Sequence, residues 1–256
     1  MHLFRICARP ENLGTESQRR RCEPDRTDFK LRFQRRLTII PKILALFTAW
    51  PLTVPCLHAQ KDLGATIAAI QRRYATVESI RADFTQIYHA PGMDQTESGT
   101  VTMQKPGLMR WEYKNPEVKL FIADGRDTYL YTPEDRQVLV RRFTLEDLRS
   151  TPIQLVLGQG DIRRNYDVSW EPGAASGGGG AVELRLTPRA GSSDYAYVIL
   201  ECAEGTYDLR RMVIREVTGN TSEFQFANLK TNIKVEPQQF RFKIPKGVEV
   251  VHLDEK

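Results

Sequence analysis

The sequence predicts a mainly β protein, one curled antiparallel sheet of about eleven strands with only three short helical pieces. Three observations carry this. From Ile80 onward apolar residues recur with period two rather than 3.6. Tight turns such as Asp124-Gly125 and Gly219-Asn220 separate the alternating runs. The runs are also too closely spaced for βαβ units. A sheet with this many strands tends to curl. The volume it then encloses can be filled by side chains or kept as an apolar ligand cavity.

The chain has 256 residues and a formal charge of +5, but the excess is local. Residues 1–59 hold 11 Lys/Arg against 5 Asp/Glu, whereas residues 60–256 hold 26 against 27. The body is therefore near neutral, which argues against nucleic acid or an anionic membrane as its general partner. Residues 1–36 read as a polar leader or an over-extended N-terminus. Residues 37–59 read as a signal-peptide hydrophobic region: Arg35-Arg36 and Lys42, an apolar run at 43–54, and the small residue Ala59, after which cleavage is expected. A membrane anchor would need about 20 apolar residues; this run is shorter and is bracketed by Pro41, Pro51 and Pro55. Residues 60–256 are expected to form a single domain.

Within that domain, Leu63, Ile67, Ile70, Tyr74 and Val77 step by four and three, the stripe of an amphipathic helix. Strands are expected at 80–88, 99–105, 108–113, 119–123, 128–132 and 137–142. Thr144 can then cap a short helix at 145–149, with Glu146 and Asp147 in its first turn. Thr151-Pro152 opens a second piece at 153–157, stopped by Gly158. Strands resume at 166–170, 181–187, 195–201, 207–217 and 221–230, and an extended piece closes the chain at 239–244. The Gly/Ser/Ala stretch 173–180 reads as a hairpin tip.

The inventory for catalysis is thin. Cys7, Cys22 and Cys56 lie in the leader, so residues 60–256 keep only Cys202; of the histidines only His89 and His252 remain. An internal disulfide, a cysteine cage for zinc, a Ser-His-Asp triad and a multi-histidine metal site are all poorly supplied. No cofactor is called for. Carboxylate chemistry stays open on counting alone.

The most informative stretch is GTVTMQKPGLMRWEYKNPEVKLFIADGRDTYL, residues 99–130. Val101 and Met103, then Met109, Trp111 and Tyr113, alternate with polar and charged residues. One face is large and polarizable; Met adapts its shape to irregular or flexible apolar partners. The same pattern would serve an ordinary barrel core. Arg110 and Glu112 fall on the opposite, solvated face.

This stretch resembles the LolA-type periplasmic carrier of outer-membrane lipoproteins. The likeness lies in Gly99, Lys105-Pro106, Arg110-Trp111-Glu112-Tyr113, Pro116, Asp124-Gly125, Tyr131 with Pro133, and Gln137. Thr151-Pro152 with 153–157 is similar to the family's helix-forming stretch, and Phe240-Arg241-Phe242 with Pro245-Lys246-Gly247-Val248 to its closing motif. It spans most of 62–251, strongly at 99–137 and thinly at 166–209. The resemblance implies an incompletely closed barrel with a helical lid over a hydrophobic cavity. The implied protein is a periplasmic carrier without enzymatic activity. It would take acylated lipoproteins from an inner-membrane ATP-driven extractor to an outer-membrane acceptor protein or membrane, as a monomer. A lipoprotein has about three acyl chains and each buried methylene is worth roughly 0.8 kcal/mol, so exposing the chains to water would be prohibitive. Release demands moderate affinity, which a lid packed into the empty cavity would provide.

Joining pattern and resemblance, the expected cavity wall is Val101, Met103, Met109, Trp111, Tyr113, Phe121, Tyr129, Tyr131, Met212, Ile214, Phe224 and Phe226. The expected lid is Ile67, Ile70, Tyr74, Ile153 and Leu157. Lys105 stands where many relatives have an arginine that ties lid to barrel; lysine keeps the charge but loses the planar fork. Arg141-Arg142 and Arg163-Arg164 are candidates for a local docking patch. Three other readings remain: an envelope sensor with the same half-barrel, which usually carries a second domain; a hydrolase using Asp124 and Asp127, or Glu112, as acid and base; and a purely structural envelope protein.

Overall fold

In a computed structural model the described residues are 62–143, 152, 155, 157–158, 160–172, 180–189 and 194–253. The leader, the signal region and the helix expected at 145–149 lie outside them. So does most of 153–157, including Ile153.

Helix α1 spans Leu63–Ala75. Asp62 starts it by accepting a hydrogen bond from the Gly64 N–H at 2.8 Å. Among the described residues twelve strands follow in one sheet: β1 Ser79–Ala90, β2 Met93–Gln104, β3 Leu108–Asn115, β4 Lys119–Ala123, β5 Asp127–Thr132, β6 Gln137–Arg142, β7 Tyr166–Trp170, β8 Ala181–Pro188, β9 Tyr195–Ala203, β10 Leu209–Glu216, β11 Thr221–Thr231 and β12 Glu249–His252. A one-turn helix α2, Ile162–Asn165, precedes β7 and is capped by Asp161. The spatial order is β12-β6-β5-β4-β3-β2-β1-β11-β10-β9-β8-β7. Every pair is antiparallel except β12 with β6, and β7 and β12 are edges, so among the described residues the sheet does not close.

The curl can be derived from one contact. Strands β3 and β11 are separated by β2 and β1, and strand spacing of about 4.8 Å would hold them roughly 14 Å apart in a flat sheet. Yet the rings of Trp111 on β3 and Phe224 on β11 are 5.7 Å apart. The sheet therefore bends round a concave face, where Phe84 lies edge-on to Trp111 at 4.9 Å and to Tyr113 at 5.0 Å. Gly99 sits between Phe84 and Tyr113 in the register. A Cβ there would lie 1.9 Å from the Glu112 carbonyl oxygen, so the strand needs glycine where it shifts register.

Two differences from the expected elements have clear causes. The closing piece is a 3-10 turn, Pro237–Phe240, with the twelfth strand coming later at Glu249–His252. That strand is a mostly exposed edge, so it shows no apolar alternation to read. The helix α2 is four residues long, too short to display a stripe.

Candidate functional site

One core cluster joins the concave face to the underside of α1. It contains Val101, Met103, Met109, Trp111 and Tyr113 from β2 and β3, and Met212, Ile214 and Phe224 from β10 and β11. Ile67, Ile70 and Tyr74 reach it from α1, and Leu155 and Leu157 from the second helical patch. Phe121 and Phe226 are partly buried against it. The hydrophobic stripe of α1 is thus inserted into the curl, and the concave face is filled by the chain's own side chains.

Tyr129 and Tyr131 are a correction to the expected wall. Trp111 pairs with Phe121 and Phe121 with Leu130, so these three share the concave face. The even, four-residue connection between Ala123 and Thr128 reverses the numbering parity across the hairpin, and the two tyrosines point to the convex side. There they pack against Phe242 with tilted rings, 5.4 and 5.7 Å away. The inward positions are Leu130 and Leu139. Sequence reasoning also passed over Phe84, Leu184, Leu186, Val198 and Leu200, all buried in the same cluster. Strict alternation in β8 and β9 was signal enough to find the last four.

The C-terminal end of α1, the expected lid, is held by polar contacts. The Lys105 ammonium donates to the Ala75 carbonyl at 3.0 Å and lies 3.5 Å from that of Tyr74, with Glu78 at 3.6 Å. A cation at a helix C-terminus complements the macrodipole and the orphan carbonyls. A single ammonium thus reaches two carbonyls without the guanidinium fork. Arg73 donates to Asp208 at 2.8 Å and to Thr231 at 3.2 Å, fastening α1 to the β9–β10 turn and to β11. The Tyr74 hydroxyl accepts from the Leu209 N–H at 2.8 Å. Gly158 is wedged against the same end: its φ is +63°, and a Cβ would lie 2.2 Å from the Tyr74 carbonyl oxygen.

The carboxylates proposed for acid-base work are spent on structure. Asp124 accepts from the Arg126 and Asp127 N–H groups at 2.9 and 2.8 Å, closing its turn. Glu112 lies on the convex face. Burial acts to raise its carboxyl, but the bonds from Arg110 and Thr100 outweigh this and hold it below the usual range. Cys202 is buried, and desolvation pushes its thiol up to about 12, so it is neutral and a poor nucleophile. Among the described residues no group of three or more His, Cys, Asp or Glu could hold a metal ion. Of the arginines offered as candidates for a docking patch, Arg142 faces Asp127 at 3.6 Å and Arg163 donates to the Gly64 carbonyl.

A family model described as "Outer membrane lipoprotein carrier protein LolA" matches residues 75–243. An outer-membrane lipoprotein carrier protein of Dechloromonas aromatica is 30% identical over 84% of this chain and 99% of its own length. One of Cupriavidus necator is 31% identical with the same two coverages. Among solved structures, a LolA superfamily protein from Nitrosomonas europaea aligns over 70% of this chain and 97% of that one, at 12% identity and a TM-score of 0.39.

Proposed function

Because this chain belongs to the LolA family of outer membrane lipoprotein carrier proteins, we propose that it shields the acyl chains of lipoproteins and moves them across the periplasm from inner to outer membrane. The observation that supports this most is the apolar concave face beneath α1. Its cover is a helix whose backbone is bonded to itself and which is tied to the rest of the fold by a few side-chain contacts, from Lys105, Arg73 and Tyr74 near its C-terminal end and from Arg163 at its N-terminal end. When α1 swings out, the face it leaves can take alkyl chains in place of Ile67, Ile70 and Tyr74. The two occupants compete, so affinity stays moderate and the cargo can be passed on.

In this reading residues 60–256 are the carrier domain, released by cleavage after Ala59 from a leader (1–36) and signal region (37–59). The wall is Val101, Met103, Met109, Trp111, Tyr113, Phe121, Met212, Ile214, Phe224 and Phe226, joined by Phe84 and Leu130. Lys105 is the latch. The donor is an ATP-driven extractor in the inner membrane, the recipient an acceptor protein or the outer membrane itself, and the working form a monomer without enzymatic activity or cofactor. A sensor of the same fold is less favoured, since the named carriers align over nearly their full length.

The test uses fluorescence. The chain has three tryptophans; in a Trp50→Phe/Trp170→Phe variant only Trp111 reports. Titration with an acylated lipopeptide bearing a quencher on its chain should quench Trp111 saturably. Saturable binding with Trp111 emission unchanged would remove Trp111 from the wall, and no binding would remove the carrier reading.

A further inference from the structure

The concave face changes character along its strands. From the lid end, the inward residues of β1 run Ile80, Ala82, Phe84 and then Gln86. The register puts Gln86 opposite Glu97 and Tyr113 opposite Lys119. These four form a buried polar belt. The Lys119 ammonium bonds the Glu97 carboxylate, with side chains only 5% and 4% exposed. The Tyr113 hydroxyl donates to Gln86 at 3.0 Å. The ammonium also lies 5.6 Å from the centre of the Tyr113 ring. Burial pushes the Glu97 carboxyl up, against the opposing bond from Lys119.

A buried ion pair is weak evidence of stabilisation, because desolvation consumes most of its attraction and an apolar replacement is often neutral or better. This pair therefore calls for a role beyond stability. Its place supplies one. Resting on the carrier reading, we infer that Gln86, Glu97, Tyr113 and Lys119 form a depth stop. They end the apolar face and set how long an acyl chain can be while still gaining affinity from every methylene. A chain entering beneath α1 runs tail first past Met103 and Trp111. It gains about fourfold in affinity for each methylene buried. At Phe224 and Tyr113 it meets the belt. To go further it must separate a pair of desolvated charges or strand one of them, so additional methylenes stay outside and add nothing.

The experiment titrates the protein with a homologous series of saturated acylated peptides, each longer than the last by one ethylene unit. For the wild type, affinity should climb with length and then level off. In Glu97→Leu/Lys119→Leu the plateau should move to longer chains by at least one ethylene unit, making the longest peptide about fifteenfold tighter. The charge-swapped Glu97→Lys/Lys119→Glu pair should restore the wild-type plateau. Should the double-leucine variant not fold, Gln86→Leu/Tyr113→Phe keeps the ion pair, removes half the belt, and should tighten the longest peptide about fourfold. An unchanged plateau in whichever of these apolar variants folds would overturn the depth stop while leaving the carrier reading intact. Absence of saturable binding to the wild type at every length would overturn both.

Discussion

The strands β4 to β6 carry apolar side chains on both faces, and both faces are covered, but the two covers are built differently. On the concave side the cover is α1, which inserts Ile67, Ile70 and Tyr74 and is tied by Lys105, Arg73 and the Tyr74 hydroxyl. On the convex side it is the C-terminal segment. There Phe240 is 1% exposed and Phe242 lies on Tyr129 and Tyr131, over a small core that includes Ile122, Val138 and Val140. That segment ends in β12, laddered to β6 from Glu249 to His252, with further bonds from the Glu249 N–H to Arg136 and the Leu253 N–H to Val140, both 2.8 Å. A helix satisfies its own backbone, so lifting it forfeits side-chain contacts and a few ties. Lifting a paired strand strips hydrogen bonds from two backbones at once. The difference teaches that one sheet can be covered inside by a self-bonded helix and outside by a paired strap, although both rest on aromatic and aliphatic side chains.

Three substitutions can break or sharpen this contrast. The largest loss is expected from Phe240→Ala, which empties the convex core: about 3–5 kcal/mol by urea denaturation. Affinity for an acylated peptide should hold wherever the variant is folded. A parallel fall in affinity would mean the faces are not independent. Next comes Ile70→Ala on the lid, which should cost the unloaded protein about 2–4 kcal/mol and yet tighten acyl binding, because the packed lid is the ligand's competitor. Weaker binding would place Ile70 in the ligand's wall instead. The smallest effect is expected from Lys105→Leu. Losing the charged donor to Ala75 and Tyr74 should lower stability by about 1–2 kcal/mol, with the exposed portion of that ion pair contributing little. Handover from loaded carrier to acceptor vesicles in a reconstituted assay should slow, since a lid that closes less readily expels its cargo less readily. Unchanged transfer would end the latch role.

What could be read in the sequence follows from which forces leave periodic marks. Burial of one sheet face writes period two, and the strands Lys119–Ala123, Gln137–Arg142 and Tyr166–Trp170 have the limits expected from it. Burial of one helix face writes the stripe Ile67, Ile70, Tyr74, all of which lie in the core cluster. Periodicity cannot say which face is concave once a hairpin connection changes parity. Tyr129 and Tyr131 were expected beside Trp111 and lie across the sheet from it, and Leu130 and Leu139 take the inner positions. The belt leaves no periodic mark either: Glu97 and Lys119 are single charged residues 22 positions apart, and the strand register is what brings them together in the interior. β12, nearly bare of burial, left no pattern at all.

The central claim is that α1 leaves the concave face on loading while the strap stays, and amide hydrogen exchange reads both covers in one experiment. The protein is compared unloaded and saturated with a diacylated lipopeptide. The account predicts that amides of Leu63–Ala75 exchange faster in the loaded form, while those of Glu249–His252 keep their protection. Equal protection of α1 in both forms, or loss of protection in β12 instead, would contradict it.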